Sequence, residues 1–153
     1  MQDLYVGDKG KGFPLVLVHG FLGSSEMWTP QKEFLSKYFR VITPALPGFG
    51  ESNKIKFHNS INAMAQTVLK LLKEMNIEKF NLLGHSMGGM IVQEMAKIAG
   101  EKITRLICYG TGPIGDIPGR FETINESRKK LKNIGLEKTA HRIAKTWFVE
   151  GDK

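Results

Sequence analysis

Only one cysteine, Cys108, occurs in 153 residues, so no internal disulfide can form. It lies in the apolar run Ile103 to Tyr109, where a buried, inert thiol is expected. Long hydrophobic stretches are missing as well. Phe13 to Val18 and Ile103 to Tyr109 fall far short of the roughly 18 apolar residues that a membrane span needs. The first ten residues carry Asp3, Asp8 and Lys9 where an export signal needs an apolar segment, so a cytoplasmic location is expected. There is no internal repeat and no low-complexity segment. With 41% hydrophobic and 24% charged residues, the composition excludes disordered, collagen-like and coiled-coil chains. A chain of this length is about one domain and buries roughly 70% of the surface its unfolded form exposes.

The net charge of +7 raises the question of a nucleic-acid partner, because Lys and Arg pair with phosphates. Its distribution answers no. Residues 1–100 hold 11 basic and 8 acidic side chains, residues 101–153 hold 11 and 7, and the excess is spread along the chain. The one tight run, Arg128, Lys129, Lys130 and Lys132, follows Glu122 and Glu126 at helical spacing and reads as a solvated helix face.

Short apolar runs alternate with amphipathic helices. Phe13–Val18, Phe39–Thr43, Lys79–Leu83 and Ile103–Tyr109 each end at or just before Gly, His-Gly or Pro, as strands buried on both faces do. Ile61, Met64, Ala65, Val68, Leu71, Leu72 and Met75 form one apolar helical stripe, which Asn59 or Ser60 can cap. Met90, Ile91, Met95 and Ile98 do the same for a helix beginning near Ser86 and stopping before Gly100. Asp3 to Gly7 has room for one strand. Strands alternating with helices predict an α/β fold, a mostly parallel sheet with helices on both faces. Past Tyr109 a Gly/Pro-rich loop leads to two helices, about 120–133 and 136–148, broken near Gly135. The expected organisation is a core over 1–112 and the start of a helical cap or lid over 113–153.

Gly84-His85-Ser86-Met87-Gly88-Gly89 sits where an apolar strand ends and an amphipathic helix begins. G-x-S-x-G in that setting is a nucleophile elbow: the serine occupies a sharp strained turn, and small residues two positions either side avoid the neighbouring strand and helix. The helix N-terminus beneath Ser86 favours negative charge developing nearby. A second strand runs into a turn at Val16-Leu17-Val18-His19-Gly20-Phe21. Acyl transfer needs two backbone N–H groups aimed at the oxyanion, one after the nucleophile and one from a loop after an earlier strand, and Met87 and Phe21 are placed to supply them. Alone, His19-Gly20 would read as an ordinary strand-ending turn and Phe21 as a core aromatic. Pro47-Gly48-Phe49-Gly50 lacks the lysine of a phosphate loop, and no metal cluster or cofactor motif is found, so neither a metal nor a cofactor is expected.

Three motifs in order, Leu17–Phe21, Leu46-Pro-Gly-Phe-Gly-Glu-Ser52 and Gly84–Gly89, make the chain resemble the α/β-hydrolase fold family over residues 4–150. Within that family it is similar to the serine-nucleophile branch of enol-lactone hydrolases, carboxylesterases and carbon-carbon bond hydrolases. Pro118–Ser127 resembles the start of the helical cap in such proteins. The resemblance implies Ser86 as nucleophile, Phe21 and Met87 as oxyanion donors, and a small ester, lactone or activated carbonyl as substrate. It also implies that the acid and the histidine follow on later strands, which this sequence does not contain.

The histidines present are poor substitutes. His19 reads as a structural hydrogen-bonder, His58 as a surface or capping residue, and His141 as part of the second cap helix. His85 adjoins Ser86 too closely for its ring to align with that hydroxyl. Asp116 sits in a glycine-rich loop. Phe21, Leu22, Met27, Trp28, Trp147 and Phe148 are candidates for an apolar acyl pocket or for plain core. A non-catalytic ligand-binding protein, or an interaction protein needing a partner to complete its sheet, stays open as an alternative. The unpaired edge of the strand at 103–109 leads to an expectation of self-association, with no nucleic acid and no membrane as partner.

Overall fold

The structure, a computed structural model, describes residues 4–114 and 123–146. The chain divides into two compact units between Pro113 and Ile114. The first holds a five-stranded sheet of β1 (Val6–Lys9), β2 (Pro14–Val18), β3 (Arg40–Pro44), β4 (Phe80–His85) and β5 (Ile103–Tyr109), with helices α1 (Thr29–Leu35), α2 (Ile61–Glu74) and α3 (Met87–Ala99). The second holds α4 (Ile124–Ile134) and α5 (Leu136–Lys145).

The strands lie in the order β1-β3-β2-β4-β5, all parallel except β1, which runs antiparallel to β3. Alternation along β2 explains why the sheet is covered on both faces. Val16 and Val18 pack into one cluster with Met64, Val68 and Leu72 of α2 and Ile91, Val92 and Met95 of α3. Leu15 and Leu17 pack on the other side with Trp28, Val41, Leu35 and Phe39. Side chains two apart on a strand share a face, so one apolar run feeds both layers. The Ser60 hydroxyl accepts from the Ala63 N–H and caps α2, and Met64, Ala65, Val68 and Leu72 are its buried stripe. The chain reverses direction across the sheet between β2 and β4, a switch point where open α/β sheets place their sites beyond the strand C-termini.

Several expectations are corrected. The first strand lies at Val6–Lys9 rather than Asp3 to Gly7, pinned by register against β3 and by a two-pronged Arg40–Asp8 ion pair at 2.6 Å. Helix α1 was not expected: it is one seven-residue segment with Pro in its first turn and no buried residue, so it shows no apolar stripe. Strand β5 is not buried on both faces. It is exposed along nearly its whole length, and Cys108 with it, because among the described residues β5 is an edge strand paired with β4 alone. The last two helices lie at Ile124–Ile134 and Leu136–Lys145, the first starting later and ending one residue beyond its expected bounds and the second starting where expected; α4 begins with a capping box between Thr123 and Glu126.

Candidate active site

Ser86 stands between β4 and α3 with φ 54° and ψ −120°, one of three non-glycine residues with positive φ among those described. Such backbone costs about 1–3 kcal/mol and persists where the surroundings force it. The surroundings here do. A Cβ on Gly84 would meet the Gly88 carbonyl, 2.5 Å from its carbon, and a Cβ on Gly88 would stand 2.5 Å from the His19 carbonyl oxygen and nearer still to that of Val18. Both glycines are required by backbone atoms, which cannot swing aside as a side chain does. The Ser86 N–H donates to the Tyr109 carbonyl (3.0 Å), extending the β4–β5 ladder by one bond.

The β2 turn closes directly on this serine. A Cβ on Gly20 would lie 3.0 Å from the Ser86 Cβ and 3.0 Å from the His85 carbonyl oxygen, so glycine is what lets the two loops touch. Beneath the turn, buried His19 is held at both ring nitrogens: Nε2 accepts from the Leu46 N–H (3.0 Å), which leaves Nδ1 to donate to the Gly20 carbonyl (2.8 Å). Burial lowers its pKa, with smaller opposing contributions from the Gly20 bond and from Glu51. His19 is therefore a neutral strut under the turn and not a free base. Among the described residues neither the Phe21 N–H nor the Met87 N–H has a hydrogen-bond acceptor. Met87 opens α3, and its N–H comes before the first intrahelical bonds, which begin at Gly89.

Phe21 is half exposed and meets Phe49 edge-on at 5.9 Å; Phe49 in turn meets His19 and Phe57, each at 5.6 Å. Phe49 and Phe57 were not among the pocket candidates. Leu22 is half-buried at φ 60°, and Met27 is exposed. Trp28, a candidate for the same pocket, belongs instead to the core on the α1 side, 5% exposed against Leu15, Leu17 and Val41. Trp147, Phe148 and Asp116 lie outside the described residues.

The other histidines are placed as follows. His85 lies between Gly20 and the Tyr109 ring (5.5 Å), its Nδ1 buried without a partner and its pKa lowered by burial. His58 bonds to Thr67, whose own hydroxyl proton goes to the Ala63 carbonyl, so His58 Nε2–H is the donor at 2.9 Å. His141 is exposed on α5 in the second unit, beside Glu137, Lys138, Arg142 and Lys145. No described residue is therefore seen to act as a base on Ser86. Among the described residues there is no cluster of three metal-ligating side chains, and no helix is long and apolar enough to cross a membrane.

The sequence profile of the alpha/beta hydrolase fold matches residues 14–133. The chain belongs to that family. Among curated members, it is 38% identical over 117 residues to the dihydrolipoyllysine-residue acetyltransferase component of the acetoin cleaving system of Pseudomonas putida, covering 76% of this chain and 31% of that one. It is 31% identical over 99 residues to (E)-2-((N-methylformamido)methylene)succinate hydrolase of Acinetobacter baylyi, covering 65% of this chain and 38% of that one. Among solved structures, a thermophilic esterase from Thermogutta terrifontis superposes with a TM-score of 0.80 at 34% identity, covering 91% of this chain and 52% of that one. The enol-lactonase from Burkholderia xenovorans gives 0.82 at 26%, covering 96% and 57%. This hydrolase-fold chain thus spans about a third of those curated relatives and about half of those structures. Its relatives include esterases, lactonases and other hydrolases.

Proposed function

We propose that Ser86 is the nucleophile of a serine hydrolase acting on a small ester, lactone or activated carbonyl compound. The observation that carries the reading is the serine held at positive φ over the start of α3, with the Gly20 turn closed against its Cβ. In the proposed reaction Ser86 Oγ adds to the carbonyl carbon, and the oxygen that becomes negative is received by the N–H groups of Phe21 and Met87. The serine proton passes to a histidine base and on to the leaving alcohol, and water then hydrolyses the acyl-enzyme by the same route in reverse. The histidine and its acid partner are assigned to the part of the relatives' length that this sequence does not span. Phe21, Phe49 and Phe57 offer an aromatic wall suited to an apolar acyl group, and residues 113–153 are read as the start of the cap.

The test is hydrolysis of p-nitrophenyl acetate by the protein extended to carry that acid and histidine. Ser86→Ala is expected to lower kcat by about 10⁴-fold or more, as loss of other triad nucleophiles does. Turnover by Ser86→Ala equal to that of the parent protein contradicts the reading and leaves ligand binding on a hydrolase fold as its replacement.

A further inference from the structure

Both peptide groups that flank the Ser86 Cα are held from the same place, the end of β5. The N–H side donates to the Tyr109 carbonyl at 3.0 Å, and the Ser86 carbonyl accepts from the Thr111 hydroxyl at 2.7 Å. Between them Gly110 turns at φ 54°, which brings Tyr109 O and Thr111 Oγ1 to bear on one residue. The same carbonyl also accepts the Gly89 N–H (2.9 Å) and the Met90 N–H (3.3 Å), the first bonds of α3. Thr111 comes this close because Gly89 lacks a side chain: a Cβ there would stand 2.5 Å from the Thr111 Cβ. That accounts for the second glycine of the Gly88-Gly89 pair, which the elbow pattern itself does not demand.

We propose that Thr111 is a positioning residue for the nucleophile, its hydroxyl fixing ψ of Ser86 while the Tyr109 carbonyl fixes φ. Its catalytic meaning rests on Ser86 being the nucleophile; the clamp itself does not. A serine free to relax toward ordinary backbone angles would carry its Oγ away from the Gly20 turn. The clamp thus makes the aim of Ser86 depend on a residue 25 positions along the chain, at the end of the strand that borders the sheet.

The experiment compares Thr111→Val, which keeps the shape and loses the hydroxyl, with Thr111→Ser, which keeps the hydroxyl and loses the methyl. Amide hydrogen exchange and the Ser86 carbonyl carbon resonance are read by NMR on the 153-residue chain. Thr111→Val is expected to speed exchange at Ser86, Gly89 and Met90 about tenfold and to move the carbonyl resonance, while Leu82 and Met95 in the core exchange as before. Thr111→Ser is expected to match the parent. Gly89→Ala is a second route to the same end: alanine ordinarily strengthens a helix, yet here it should push Thr111 off and reproduce the Thr111→Val pattern. The proposal is overturned if Thr111→Val changes nothing at Ser86, if it speeds exchange uniformly, or if Thr111→Ser behaves like Thr111→Val. A parallel measurement of fluorophosphonate labelling, made on the same variants of the protein extended to carry the acid and histidine, separates the two ideas. Labelling in no variant counts against Ser86 as nucleophile, while the NMR result still decides the clamp.

Discussion

Gly88 shows how one missing methyl sets the geometry of the site. Its α-carbon faces the Val18 and His19 carbonyls of β2 and the turn that follows it, so any side chain there drives α3 away from the sheet. Gly88→Val is expected to cost about 3 kcal/mol and to lower Tm by about 10 °C, measured by thermal unfolding. An unchanged Tm would mean that α3 does not press on the β2 carbonyls. His19 makes a prediction about pH. Its folded pKa is held below its unfolded value of about 6.5, so the unfolded chain takes up the extra proton first. The stability His19 contributes is complete above that value and is lost as pH falls through the folded pKa. His85, lowered by burial, adds in the same sense, and the lowered Glu33 and Glu94 act only further down, as pH falls below about 4.3. Urea unfolding should therefore show stability falling as pH drops below about 6.5, and a flat or rising profile there would contradict the neutral strut. The tight turn at Ser86 was legible in the sequence because its glycines sit two residues either side of Ser86. Thr111, Phe49 and Phe57 were not, because their contacts join segments far apart and leave no local pattern.

At the scale of elements, the buried strands and amphipathic helices were readable where packing imposes a period. Strands β2, β3 and β4 are covered by helices and so are mostly apolar and buried, and α2 and α3 each bury one stripe. Helix α1 buries no residue and left no stripe to read. An apolar run does not say whether a helix will cover it, which is why β5 and Cys108 were expected inside and are exposed. The two edges of the sheet differ. On β1, Asp8 pairs with Arg40 and Lys9 with Glu33, charges that discourage another strand from joining. On β5, Leu106, Ile107 and Tyr109 are 41%, 49% and 64% exposed. The 153-residue chain is therefore expected to self-associate through β5 in size-exclusion chromatography with light scattering, and Ile107→Lys to shift it toward monomer. A parent chain that stays monomeric across the concentration range contradicts that expectation.

For the whole molecule, family membership and sheet order agree, and the candidate site lies beyond the C-termini of the parallel strands. The parallel strands put β2 and β4 side by side, and their C-terminal turns bring Gly20 against Ser86. What the chain does with that site is decided by whether Ser86 is the atom that reacts. The most direct measurement is peptide mass spectrometry after treatment of the protein extended to carry the acid and histidine with a fluorophosphonate. The expected result is a single adduct on Ser86, within the stretch Gly84 to Gly89, and loss of ester hydrolysis in step with labelling. An adduct on another serine, or full hydrolysis with Ser86 unmodified, would contradict the assignment of Ser86 as nucleophile.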